Sequence, residues 1–233
     1  MKDLKAKCSV LADVYNTESP EGKKAIERLF GAEVVRPIVK MPPLGVWCLT
    51  TDKELVKPED WSKEMNPQGV LLVVDGAAFV VALHASAVLQ WGAMEQTNCD
   101  LVYDRESYDS KKATDAMIAA YKDSYYKSPS GELWDVYGTP AAEFARQYSY
   151  GNIGAGEWDV PTVRQLSDIQ GNRDEINRCI TAMGGFRLPA GYHWSSVAKD
   201  KTSALVVDVF DGDDDDLDKD FSYLVRAVSA FQF

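Results

Sequence analysis

Eight aspartates fall within the thirteen residues from Asp208 to Asp220, with Lys219 the one cation among them. Carboxylates packed so densely are the hard oxygen donors that calcium takes. Their spacing, however, departs from the EF-hand pattern D-x-[DN]-x-[DN]-G-x5-E, and a block of like charge is more simply a solvated, self-repelling face. Calcium is therefore carried as an alternative, and no cofactor is expected. Other chemistry is sparse. His84 and His193 are the only histidines, and neither G-x-S-x-G nor H-E-x-x-H occurs. Cys8, Cys48, Cys99 and Cys179 are scattered, without a C-x-x-C pair, and read as small buried hydrophobes in a reducing place of synthesis. The glycine-rich run Gly151 to Gly156 follows a helical pattern rather than a strand and lacks GK[ST], so it reads as a loop. His84, at the end of an apolar strand, reads as a hydrogen-bonded structural residue. The chain is expected not to be an enzyme.

The elements that must hold these residues come from a chain of 233 residues, 45% hydrophobic and 26% charged, ordinary for a folded protein. Its net charge is −11, of which Asp208 to Asp220 alone supply −7, so the acidity is local. An acidic surface argues against nucleic acid as partner. No apolar run reaches the roughly 18 residues of a membrane span, so no membrane insertion is expected. The N-terminus lacks a signal-peptide pattern. Localisation stays open between cytoplasmic and virion-associated, for instance in a phage tail.

Leu4, Cys8, Leu11 and Tyr15 trace an amphipathic helix, and Ser19-Pro20 starts a second that ends at Gly31. Residues 1–31 thus read as a helical hairpin, and 32–45 as an extended linker. The hairpin serves either as an attachment or oligomerisation element or simply packs on the main domain, 46–233. Val46 to Leu49 reads as a strand. Gly69 to Val74, the turn Asp75-Gly76 and Ala77 to Leu83 read as a central hairpin. Helices are expected over Ser110 to Tyr126, from Thr139-Pro140 to Tyr148, after a Thr162/Gln165 capping box, and over Asp174 to Met183, stopping at Gly184-Gly185. Strands around His193 to Ser196, Ala204 to Phe210 and Tyr223 to Val228 close the chain.

Trp158-Asp159-Val160-Pro161-Thr162, Gly184-Gly185, Tyr192-His193-Trp194-Ser195-Ser196, Ala204 to Val207, Asp211-Gly212, Lys219 and Val225-Arg226-Ala227-Val228 together resemble a known family. They are similar to C-type-lectin-fold domains of the Lcl-like, fibrobacter-slime and formylglycine-generating-enzyme-like type from gut Bacteroidetes and their phages. The C-terminus of such domains is often the variable region of a diversity-generating retroelement. The resemblance is specific over Trp158 to Phe231 and looser over the central hairpin. It implies an α+β, C-type-lectin-like fold with short antiparallel strands and flanking helices, and a variable region at 192–228. Trp194, Ser195, Ser196, Ala204, Val207, Asp211, Gly212, Val225, Arg226 and Val228 would be scaffold. The display set would comprise Val197, Ala198, Asp200, Ser203, Val206, Asp208, Phe210, Asp213, Asp215, Leu217, Asp218, Asp220, Phe221 and Tyr223. Leu205 stands where relatives usually carry tryptophan.

Strand alternation puts Val206, Asp208 and Phe210 on one face and Leu205, Val207 and Val209 on the other. A face carrying Asp208 is expected to meet solvent, exposing Val206 and Phe210 beside it, with Leu205 in the core. Apolar anchors in a polar surround make a binding surface. The expected function is thus non-enzymatic binding of a protein or glycan receptor on a cell surface, in phage or cell-surface adhesion, with a homotrimer as the candidate assembly. The alternatives are a calcium-dependent lectin and, less favoured, a formylglycine-generating-type enzyme. That last chemistry needs a pair of reactive cysteines in its active site.

Overall fold

Strands that are apolar without alternation need cover on both faces, and that requirement shapes this chain. The computed structural model describes residues 42–93, 104–127 and 135–231, all but the first of them within a unit running from Pro43 to Gln232. The expected N-terminal helical hairpin, most of the linker, Cys8 and Cys99 lie outside the described residues.

In chain order the elements are β1 (Gly45–Thr50), β2 (Leu55–Val56), a 3-10 turn (Pro58–Asp60), β3 (Pro67–Val74), β4 (Ala77–Gln90), α1 (Ser110–Tyr121), β5 (Tyr125–Tyr126), β6 (Val136–Tyr137), α2 (Pro140–Gln147), α3 (Val163–Gly171), α4 (Arg173–Ala182), β7 (Tyr192–Ala198), β8 (Ser203–Asp208), β9 (Asp214–Asp218) and β10 (Ser222–Ala230). Eight strands form one sheet in the order β2-β1-β3-β4-β10-β7-β8-β9, and β5 and β6 form a separate ribbon. All neighbours run antiparallel except β10 and β7, which meet in parallel at Leu224 and His193.

The β3–β4 hairpin is the centre of this sheet, pairing Val70 with Val81 and Leu72 with Phe79. Its two-residue turn needs a glycine, because Gly76 takes φ +88°. Gly69 is required for a different reason: a Cβ there would lie 2.4 Å from Val80 Cγ1. Alternation then sorts side chains to two faces. Leu71, Val73, Val80, Ala82, Ala204 and Val206 meet Met117 and Tyr121 of α1 and Ala141, Ala142 and Ala145 of α2. Val70, Leu72, Val81, Leu83, Leu205 and Val207 meet Leu166 and Ile169 of α3 and Ile176, Cys179 and Ile180 of α4. The sheet is therefore the middle of three layers, an α+β architecture with a large, mostly antiparallel sheet and four described helices.

The helices start where their caps dictate. Asp109 accepts from Lys112 N at 3.0 Å at the head of α1. The Thr162/Gln165 capping box closes in both directions, at 3.2 and 2.9 Å. α4 ends as expected at Gly184-Gly185, where Gly185 N donates to Ile180 O at 2.8 Å. Two expectations need correction. The helix expected to reach Tyr126 stops at Tyr121, because Ser124 N folds back onto Tyr121 O at 2.8 Å and Tyr125–Tyr126 pairs with Val136–Tyr137 instead. The aspartates, read from the sequence as a solvated run with no strand assigned to them, supply an edge strand, β9, paired with β8 from Ser203↔Asp218 to Val207↔Asp214. Carboxylates suit that place, since charge on a free edge discourages sheet-to-sheet association. No helix among the described residues is long and apolar enough to cross a membrane.

Candidate functional site

The candidate display positions cluster on the last four strands, at the sheet end formed by β7, β8 and β9 and in the turn into β10. Phe210 and Phe221 are 60% and 43% exposed, among Asp200, Asp213, Asp215 and Asp218, which are also exposed. Asp208, Leu217 and Tyr223 are half-buried. The rest correct the expectation: Val197, Ala198, Ser203, Val206 and Asp220 are buried. Val206 is fully enclosed because the face expected to meet solvent belongs to the core that the sheet shares with α1 and α2. The apolar partners on that face outweigh the hint given by Asp208, the last residue of β8. Leu205 is core, as expected. Of the candidate scaffold, Trp194, Ser195, Ser196, Ala204, Val207, Val225, Arg226 and Val228 are buried, whereas Asp211 and Gly212 are exposed in the β8–β9 turn.

Local hydrogen bonds decide which acids are free to meet a partner. Asp200 is committed to the β7–β8 turn, its Oδ1 accepting from Thr202 N and Ser203 N, both at 2.8 Å. Those bonds, the one from Thr202 N foremost, hold its carboxyl down at about 2. Asp208 Oδ1 accepts from Phe210 N at 2.7 Å and so shapes the next turn. Asp216 pairs with Lys199 at 2.5 Å, and Asp214 with Arg105. Lys219, the one cation of the stretch, points inward: it is fully buried, its ammonium 3.0 Å from Tyr121 Oη and 4.9 Å from the centre of the Trp91 ring. It locks the β9–β10 turn to the core and leaves the outer acids unneutralised by it.

Two aromatic features flank the acids. Tyr192 and Tyr223 meet edge to face with centroids 6.2 Å apart. Partial desolvation and then the charges of Asp215, Asp213, Asp208 and Asp211 push the Tyr192 hydroxyl above its ordinary value. Sequence reasoning left Tyr192 out of the display set. The signal was its place two residues before Trp194, hence on the same side of β7, at the strand's outer end. On the other side Phe210 lies under the Arg173 guanidinium, 4.9 Å away.

No protein-family model and no curated protein matches the sequence. The fold has a solved likeness. It is similar to a crystal structure of a fimbrial protein from Bacteroides ovatus, with a TM-score of 0.58 at 12% identity over 82% of this chain and 49% of that one. The chain thus spans about half the length of that protein. At this identity the likeness is one of fold.

Two further features bear on what the molecule can do. A cleft of about 330 Å³ opens between Thr51, Lys53, Gln68 and Asn152 on one side and Arg146 and Asp159 on the other. Arg146 is committed there to Asp159 (2.8 Å), Asp115 (2.6 Å) and Gly156 O (2.5 Å). Burial pushes the Asp159 carboxyl up to about 6, against the opposing pull of Arg146. Its own backbone pairs with Val228 at 2.7 and 3.0 Å, so Asp159, held by Arg146, works as a strut between β10 and α2. His84 rests edge-on against Tyr150 and Phe186, with centroids 5.1 and 5.0 Å away. Its contacts there are aromatic.

His193 is fully buried, with Nδ1 2.9 Å from Gly191 O and Nε2 unpartnered. Burial pushes its pKa down to about 4, opposed by the Gly191 carbonyl and assisted by the Arg226 charge. A histidine depressed in the native state takes up its proton more readily when unfolded, so its stabilisation is complete above about 6.5 and is lost as pH falls toward 4. We expect an acid destabilisation of about 3 kcal/mol across that window. Asp159 works in the opposite sense between about 4 and 6, so the histidine's share is the difference between wild type and His193→Asn. Denaturant melts at a series of pH values should show a shallower loss in the variant; parallel curves would contradict the assignment.

Proposed function

We propose that the chain is a non-enzymatic binding protein of surface or adhesion type, presenting the exposed end of β8, β9 and the turn into β10 to a protein or glycan receptor. One observation carries this reading. The last four strands divide into a buried framework and an outward set in which Phe210 and Phe221 stand exposed beside unneutralised aspartates. Exposed aromatics on a rigid support, rimmed by polar groups, are the composition of binding hot spots. The fold likeness to a fimbrial protein supports the same class. A further support is that Cys48 and Cys179, the described cysteines, are fully buried, out of reach of the large substrates a formylglycine-generating-type enzyme would take.

The finer reading rests on the residue resemblance: a C-type-lectin-like scaffold whose 3′ coding segment is rewritten by a retroelement, in a protein that assembles as a trimer and binds neither nucleic acid nor calcium. Among the described residues no group of three or more acidic, histidine or cysteine side chains is placed to hold a metal.

The test uses the full chain, fluorescently labelled, on a printed array of cell-surface glycans and immobilised surface proteins. Phe210→Ser combined with Phe221→Ser should weaken whichever interactions the wild type shows by about tenfold or more, while the melting temperature falls by only a few degrees. Undiminished binding by that double variant would place the surface elsewhere. Sequencing the neighbouring DNA tests the diversification: a near-copy of the 3′ coding segment differing at adenines, with a reverse transcriptase close by, is expected, and the absence of both removes it.

A further inference from the structure

Cys48 and Cys179 are 131 positions apart, yet the fold brings them together. Cys48 lies on β1 and faces the side of the sheet covered by α3 and α4; Cys179 lies on the buried side of α4, which packs across β1 and β3. The Cys48 sulfur is 3.9 Å from the Cys179 carbonyl oxygen, and neither residue has any exposed surface. Scattered spacing concealed this pair, which contributes nothing to the binding surface at the other end of the sheet.

We propose that Cys48 and Cys179 are a disulfide-forming pair, oxidised during folding by a small-molecule disulfide or by the disulfide of a thiol oxidoreductase. The Cys48 thiol points at the Cys179 backbone carbonyl oxygen at 3.9 Å, and the two thiols act on each other, the proton affinity of Cys48 raised and that of Cys179 lowered. Written with Cys179 as the first nucleophile, the exchange begins with its thiolate attacking the oxidant. It displaces one thiolate from the oxidant and forms a mixed disulfide. The Cys48 thiolate then attacks the Cys179 sulfur and expels the second thiolate. The two cysteine protons end on the two departing thiolates, and the oxidant's disulfide accepts the two electrons. Because both sulfurs are enclosed, the first attack needs α4 open, so oxidation belongs to folding rather than to the folded protein. The bond would close a very long loop across two layers, where the loss of unfolded-state freedom is large.

The inference is independent of the binding role, and its test needs no ligand. The full chain is refolded from denaturant in an oxidised/reduced glutathione mixture and, in parallel, in dithiothreitol, then alkylated, digested and mapped by mass spectrometry. The glutathione sample should contain the Cys48 and Cys179 peptides joined, two hydrogens lighter than their sum, and should melt roughly 5–15 °C above the reduced sample. Cys48→Ala with Cys179→Ala should abolish that difference. Full alkylation of both cysteines after oxidative refolding, linkage to Cys8 or Cys99 instead, or a melting difference that survives in the double variant would each overturn the proposal.

Discussion

Trp194→Ala is expected to cost about 3–5 kcal/mol, the largest single truncation effect in the C-terminal strands. Trp194 is fully buried on β7, which lies between β10 and β8 and so carries the whole outer end of the sheet. Its indole Nε1 donates to Leu89 O on β4 at 2.9 Å, and its ring meets Tyr223 edge to face at 5.2 Å. Alanine would remove the aromatic body, leave a cavity too enclosed to collapse, and orphan the Leu89 carbonyl, which is a cost beyond lost burial. For a chain of this size the melting temperature should fall by about 10 °C or more. Trp194→Phe should recover most of the loss while still lacking the donor. A melt within a degree or two of wild type for the alanine variant would mean that β7 does not anchor the outer strands.

Much of the scaffold was legible because its signals are local. The Thr162/Gln165 box, the Pro140 start, the Asp75-Gly76 turn and the Gly184-Gly185 stop each rest on backbone groups within a few residues, and the structure places all four where the sequence does. What was not legible depended on contacts far apart in sequence. β9 has almost no apolar residues, so no periodicity announces it; it forms because β8 offers a free edge and Leu217 finds the core. The exposure of Val206 was misjudged for the same reason. A sheet with one open face alternates apolar and polar, and a sheet covered twice does not, so Asp208 at a strand end misled where the helices opposite decide. Lys219 is the converse case. In sequence it is one charge among aspartates, and only the fold shows that Tyr121 and Trp91 receive it. The meeting of Cys48 and Cys179 likewise follows from α4 crossing β1, which no spacing encodes.

The division between framework and display is the centre of this account, and Val206 and Phe210 test it because the sequence alone places them on the same face. Val206 has no exposed surface and belongs to the core that the sheet shares with α1 and α2. Asparagine there would lose the valine's burial and place an amide where no partner waits, costing about 3–4 kcal/mol. Phe210 is 60% exposed, its ring against the Arg173 guanidinium. Asparagine there should cost no more than about 1 kcal/mol. The decisive measurement is the melting temperature of Val206→Asn and Phe210→Asn beside wild type under one buffer condition. The account predicts a fall of roughly 10 °C for the first and less than about 4 °C for the second; equal shifts, or the reverse order, would contradict it.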